Sequence, residues 1–208
     1  MANVVIIGSG GAGLTAAIAA RRAGADVMVI SKTAAAVASC TAYSAGLFSL
    51  ACGGVSPRDQ YEKLLKTGYR LNDRALLETL TEESCAALEE IASLGVTLEF
   101  QKGRASARAT AKNELMGGSG LVEQLVRIAK ECGVKFIEWS VAREIFTCGG
   151  RARGVSVTNW RGRRSLALPA DAVVLATGGA GRIYSHTDNP ERMTGDGYAL
   201  ALAAGLKL

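Results

Sequence analysis

Near the start of the chain, Asn-Val-Val-Ile-Ile (residues 3–7) runs straight into Gly-Ser-Gly-Gly-Ala-Gly (residues 8–13). The β-branched run reads as a strand buried on both faces. A small-residue helix, LTAAIAARRAGA, follows and closes at Gly24, and DVMVI (26–30) gives a second strand. The result is a βαβ unit with G-x-G-x-x-G at its first turn. The pattern alone is weak, but strand before, helix after and a second strand in sequence make it dinucleotide-binding. Gly8 permits the tight turn, Gly10 bares the backbone to a pyrophosphate, and Gly13 lets helix and strand pack closely. The helix N-terminus adds free N–H groups and a partial positive charge.

The rest of the chain extends this unit into an α/β layer. Residues 31–55 are rich in Ala, Ser, Thr and Gly and show no clear period. Ser56-Pro57 reads as a cap and first position of a helix through DQYEKLLKTGY. Asn72 or Asp73 caps a longer helix, RALLETLTEESCAALEEIASLG, closed at Gly95, and GLVEQLVRIAKECG gives another. VKFIEW (134–139) is expected to lie parallel to DVMVI. Three extended runs near 141–147, 153–159 and 165–168 form a meander, with turns at CGG and NWRG. ADAVVLATGG (170–179) returns as a buried strand on the other side of NVVII. A last helix starts at Asp196.

Composition narrows the function. The net charge of +5 is concentrated in KGRASARATAK (102–112) and in the arginines of 151–164. These read as a solvated face without the interleaved aromatics of a single-strand platform, so no nucleic-acid partner is expected. Five cysteines without a C-x-x-C pair, and one histidine, argue against zinc and against a disulfide framework. The apolar run Val4–Ile7 is too short to span a bilayer. No transmembrane segment and a cytoplasmic setting are expected.

The second strand of such a unit normally ends in an acid for the adenosine ribose, but Ser31-Lys32 stands there. Ser31 can still hydrogen-bond a hydroxyl. Lys32 could reach a phosphate, including that of a phosphorylated nicotinamide cofactor, or be a plain exposed lysine.

Residues 30–47 (ISKTAAAVASCTAYSAGL) and 175–199 (LATGGAGRIYSHTDNPERMTGDGYA) resemble the succinate dehydrogenase/fumarate reductase flavoprotein family. So does the stretch EKLLKTGYRLNDRALLETLTEESCAALEEIASLGV between them. The resemblance covers essentially the whole chain. It implies a Rossmann-like α/β fold of the glutathione-reductase type, with parallel sheet, β-meander crossover and a helical insertion at about residues 56–132. Residues 1–208 would be the first portion of an FAD-binding domain.

The implied cofactor is FAD. Carried over by position, Ser9, Gly10, Gly11 and Ala12 would meet the pyrophosphate, and Ser31 and Lys32 the adenosine side. Cys40 through Gly46, including Thr41 and Ala45, would run along the flavin. Val141 would meet the adenine by its backbone, and Thr177, Gly178, Gly179 and Asp196 would complete the pocket. Asp196 can equally be read as a helix-start carboxylate. Where many relatives have Ser-His-Thr, with the His carrying flavin covalently, this chain has Ser39-Cys40-Thr41. FAD is therefore expected to be noncovalent, with a buried Cys favoured over a cysteinyl–flavin bond. Ala45-Gly46-Leu47 replaces a Gln/Glu-Gly-Gly and removes a polar group near the flavin.

His186, the sole histidine, falls in a loop and is read as exposed or packed rather than as a base. Relatives continue past T-G-D-G into a capping domain and the His and Arg residues that bind and protonate a small carboxylate substrate. None of those groups is recognised here, and no catalytic residue is assigned. The chain is expected to be a front portion, not competent for turnover alone, and either a homo-oligomer or one that needs a C-terminal half. Two other readings are a noncatalytic, self-associating or partner-binding fragment without FAD, and an RNA-modifying flavoprotein.

Overall fold

The computed structural model describes residues 1–108 and 116–208. Along the chain run β1 (Asn3–Ile7), α1 (Gly11–Arg22), β2 (Asp26–Ile30), α2 (Cys40–Tyr43) and β3 (Leu47–Ser49). Then come α3 (Pro57–Thr67), α4 (Arg74–Ser93), β4 (Leu98–Gln101), β5 (Arg104–Ala107) and α5 (Gly117–Glu131). The last part holds β6 (Lys135–Ile137), β7 (Ser140–Cys148), β8 (Arg151–Asn159), β9 (Arg164–Pro169), β10 (Ala172–Leu175) and α6 (Asp196–Ala203). Two compact units divide the chain: Met1–Tyr43 with Val122–Leu208, and Ser44–Leu121.

In the first unit a four-stranded sheet has the order β10-β1-β2-β6. Its pairings are all parallel, with Ile7 opposite both Leu175 and Ile30, and Ile30 opposite Ile137. The strands on either side of β1 and β2 are those expected from the sequence. Because β1, β2 and β10 end together, their carboxyl ends open onto one crevice, which is where open α/β sheets bind ligands.

Side chains alternate between the faces of this sheet. Val5, Ile7 and Ile30 pack with Ala142, Val155 and Val157 of the meander, and with Ala170 and Leu200. The opposite face holds fully buried Ile6, where α1 covers β1 and β2 with Leu14, Ala17 and Ile18. Each large side chain buried this way contributes about 1.5–3 kcal/mol. The meander is antiparallel, in the order β7-β8-β9, with irregular register at Ala142/Glu144 and Phe146/Thr147. Gly149 and Gly150, both at positive φ, form the two-residue turn between β7 and β8.

The second unit, Ser44–Leu121, contains α3, α4 and an antiparallel sheet of order β3-β5-β4. Leu50, Cys52, Leu88 and Ala105 form its core, with Phe48, Cys85, Ile91 and Leu98 against them. Ser56 caps α3 by accepting from the Asp59 N–H at 3.1 Å, with Pro57 at the first position. Asp73, not Asn72, caps α4 through the Leu76 N–H at 3.0 Å.

The stretch of about 56–132, expected as a helical insertion, holds β4 and β5 as well as α3, α4 and α5. The hairpin β4–β5 turns at Lys102-Gly103, where Gly103 has φ +70. Its inward residues are Ala105 and Ala107, so the alternating period is written in alanines and is easily taken for a basic loop. The part of the basic stretch 102–112 from residue 109 onward lies outside the described residues.

Candidate functional site

The crevice at the carboxyl ends of β1, β2 and β10 is a cavity of about 510 Å³. That lies in the range of small-molecule and cofactor sites. Gly8–Ala12, Ser31, Lys32, Cys40, Thr41, Thr177, Gly178 and Asp196 all line it. Every one of these belongs to the first unit.

The glycines divide the work as their surroundings require. Gly8 adopts φ +119, and a Cβ there would lie 2.1 Å from the Ala176 carbonyl oxygen. A Cβ on Gly13 would lie 2.0 Å from the Gly8 carbonyl oxygen. Both are packing glycines, and Gly13 does not itself line the cavity. Gly10 differs: at φ −80 its nearest neighbour for a Cβ is the Ser39 Cβ at 3.5 Å. Nothing inside the protein demands glycine there, and its bare backbone lines the cavity. Gly10 is also the N-cap of α1 and gives no side-chain cap, and no acid occupies the first turn. The start of α1 therefore turns backbone N–H groups toward the cavity, that of Gly11 being bonded to Thr41.

Polar side chains set the walls. Ser9 and Ser31 share a hydrogen bond of 2.8 Å between their hydroxyls. Thr41 accepts from the Gly11 N–H at 3.1 Å. Cys40 donates to the Asn189 Oδ1 at 3.4 Å. Cys40 is exposed rather than buried as expected, and partial desolvation first, with the neighbouring Asp188 charge second, raises its thiol above the ordinary range.

Lys32 forms an ion pair with Asp196 and donates to the Thr194 Oγ1 at 2.7 Å and the Arg192 carbonyl at 3.1 Å. Thr194 in turn donates to the Asp196 Oδ1 at 2.8 Å. Partial burial opposes the Asp196 charge. Hydrogen bonds from Lys32 and Thr194, helped by the charges of Lys32 and Arg143, outweigh it and hold the carboxyl below the ordinary carboxylate range. Asp196 thus both opens α6 and reaches the cavity.

Other expected residues stand apart. Val141 does not line the cavity, although Ser140 and Ala142 on either side do. Gly179 lies in open space and is likewise absent from the lining. Ala45 and Gly46 belong to the second unit, where Gly46 has φ +73 and a Cβ would strike the Gly117–Gly118 backbone. His186 is exposed, 3.0 Å from the Ser185 hydroxyl, and lines no part of the cavity.

Sequence reasoning missed several features. The second glycine of T-G-D-G, Gly197, lies where a Cβ would meet the Thr177 Oγ1 at 1.9 Å, and Gly195 has φ +77. The motif is thus a close-approach device that seats α6 on the end of β10. Arg192 and Met193 also line the cavity. The expectation that no aromatic stands among the basic residues needs correction. Arg161 lies 3.3 Å over the Trp139 ring, Arg192 lies 5.5 Å over Trp160, and the two indoles meet edge to face at 5.5 Å. Trp160 sits inside the basic stretch itself, and Trp139 reaches it only through the fold.

Among the described residues no helix is long and apolar enough to cross a membrane. No cluster of potential metal ligands occurs among them either.

Residues 3–208 match the family described as an FAD binding domain. The chain is 32% identical to an L-aspartate oxidase of Streptomyces coelicolor, over 100% of this chain and 38% of that protein. It is 28% identical to a fumarate reductase (CoM/CoB) protein of Methanothermobacter marburgensis, over 99% of this chain and 40% of the relative. The solved Sdh1 complex of Mycobacterium smegmatis in its apo form superimposes with a TM-score of 0.82 at 27% identity. That match covers 98% of this chain and 38% of the other. The chain therefore spans about two fifths of the length of the curated relatives it matches.

Proposed function

The chain belongs to the FAD-binding domain family of the succinate dehydrogenase/fumarate reductase flavoproteins, and from that premise we propose that it is the cofactor-binding region of an oxidoreductase acting on a small carboxylate. The observation that carries this reading is Gly10: a backbone bared toward the cavity for no internal packing reason, at the start of α1, where its own residue gives no side-chain cap.

In this reading Gly8–Ala12 and the N-terminus of α1 hold the FAD pyrophosphate, and Ser31 meets the adenosine side. Cys40 and Thr41 flank the flavin side, with Ala45 and Gly46, and Val141 meets the adenine by its backbone. Thr177, Gly178, Gly179 and Asp196 complete the enclosure. When bound, FAD supplies two-electron redox chemistry that no side chain here provides.

FAD is held noncovalently. Cys40, the residue standing where relatives attach flavin, is a protonated thiol turned to Asn189 and a poor nucleophile. Among the ionisable groups on the cavity, Lys32 and Asp196 neutralise one another and Arg192 lies over Trp160. That arrangement suits binding and electrostatic tuning rather than proton delivery to a carboxylate. Turnover is accordingly assigned to the parent enzyme and cofactor binding to this region. The reading includes a cytoplasmic setting, which five free thiols suit.

The visible absorption spectrum of the purified protein, repeated on the supernatant after acid precipitation, tests this. A flavin spectrum that moves into the supernatant is expected. Colour retained in the pellet would overturn noncovalent attachment. A colourless protein that fails to take up added FAD would favour a noncatalytic fragment.

A further inference from the structure

Lys32 stands where the strand-end acid of a dinucleotide site is usually found, and its charge invites the idea of a phosphate ligand. Its valence says otherwise. A lysine ammonium has three N–H donors. Here the Arg192 carbonyl, the Thr194 hydroxyl and the Asp196 carboxylate accept from it. The backbone of the same residue is tied as well, because the Trp160 indole N–H donates to the Lys32 carbonyl at 3.0 Å. Trp160 also lies under the Arg192 guanidinium. Lys32 and Trp160 thus grip the segment Arg192–Asp196 from two sides. That segment needs fixing: it turns through Gly195 at φ +77 and delivers Asp196 to the cavity.

We infer that Lys32 and Trp160 are positioning residues of the cofactor site: they tie the Arg192–Asp196 segment to the end of β2, and Lys32 binds no cofactor phosphate itself. The pairing has an electrostatic consequence. An unpaired Asp196 carboxylate at the cavity would repel the pyrophosphate, and Lys32 cancels that charge. Trp139 extends the same grip. It meets Trp160 edge to face and is covered by Arg161. Both tryptophans of the chain are in this cluster, so tryptophan emission reports on it alone.

The inference rests on the cavity holding FAD, and the test separates the two. FAD affinity and dissociation rate are measured for the whole chain and for Lys32→Met, Trp160→Phe and Thr194→Val. ADP is titrated in parallel, and tryptophan emission and thermal unfolding are recorded without cofactor. Trp160→Phe keeps an aromatic ring and loses the N–H. Thr194→Val keeps the shape and loses the hydroxyl.

Lys32→Met is expected to weaken FAD about tenfold, and the two neutral variants about threefold each, mainly through faster dissociation. Lys32→Met should also red-shift the Trp emission as the cluster opens. Weakening by Lys32→Met alone, equal for FAD and ADP and without an emission change, would make Lys32 a direct phosphate ligand and overturn the inference. Wild-type affinity in all three variants would overturn it too. Failure of the unmutated chain to bind FAD would instead defeat the functional reading beneath it. A variant whose unfolding midpoint collapses is replaced by Lys32→Gln, read by the same criteria.

Discussion

At the scale of single residues, the glycine motif separates folding from binding. Gly8→Ala would place a methyl group 2.1 Å from a backbone oxygen at a strongly positive φ. We expect it to destabilise the fold by more than about 2 kcal/mol, measured by denaturant unfolding without cofactor. Gly10→Ala meets only ordinary contacts at a φ that alanine adopts freely. Its apo stability should change by less than about 1 kcal/mol, while FAD affinity falls at least about tenfold. Equal stability losses in the two variants would refute this division. Asp196 gives a pH prediction. Partial burial raises its pKa, but Lys32 and Thr194 pull it down further. A carboxyl depressed on folding adds stability above its unfolded pKa and loses it as the pH falls through the folded value. FAD retention should therefore be insensitive to Asp196 through neutral and mildly acid pH, failing only below the ordinary carboxylate range. A titration of bound flavin fluorescence checks it, and a midpoint near neutrality would contradict it.

At the scale of elements, the start of α4 is set by local chemistry that need not touch the cofactor. The Asp73 carboxylate satisfies the Leu76 N–H at the start of α4, in the second unit. Asp73→Ala should cost about 1 kcal/mol of stability and leave FAD affinity unchanged, as read by paired unfolding and flavin titrations. The contrast is with α1, where the missing side-chain cap leaves donors for a ligand. One helix start is closed by its own sequence, and the other is left open on the cavity. The meander has a different task. Its inward residues Val155 and Val157 are fully buried against β1 and β2, so it covers a sheet face that would otherwise be wet.

At the scale of the whole molecule, binding and stability are linked. FAD at about 100 times its dissociation constant should raise unfolding free energy by about 2.7 kcal/mol. Hydrogen exchange should show the protection at Gly8–Ala12, Ser31–Lys32 and Thr177–Gly178, where the cavity is lined. Protection extending to Ala45 and Gly46 is expected if they run along the flavin. Its absence would remove them from the cofactor site. Of the arginines in 151–164 only Arg161 lies over an indole, that of Trp139, while Arg151, Arg153, Arg163 and Arg164 stand exposed.

The parallel sheet and its neighbours were legible in the sequence because buried strands are written as unbroken apolar runs, and the glycine turn because sterics leave few substitutes. NVVII, DVMVI and AVVL needed no tertiary information to be recognised or ordered. The small sheet β3-β5-β4 was not legible, since its inward alanines carry almost no hydrophobic signal. Nor could the sequence tell what Lys32 does. A lysine after a strand is equally compatible with phosphate, solvent or a carboxylate far along the chain. Only the fold brings the Asp196 carboxylate, the Thr194 hydroxyl and the Trp160 indole to one residue. Strand identity follows from local apolar patterning, whereas the partners of a charged side chain follow from long-range packing. Residue type in sequence fixes what a group can bond to, and tertiary structure alone decides what it meets.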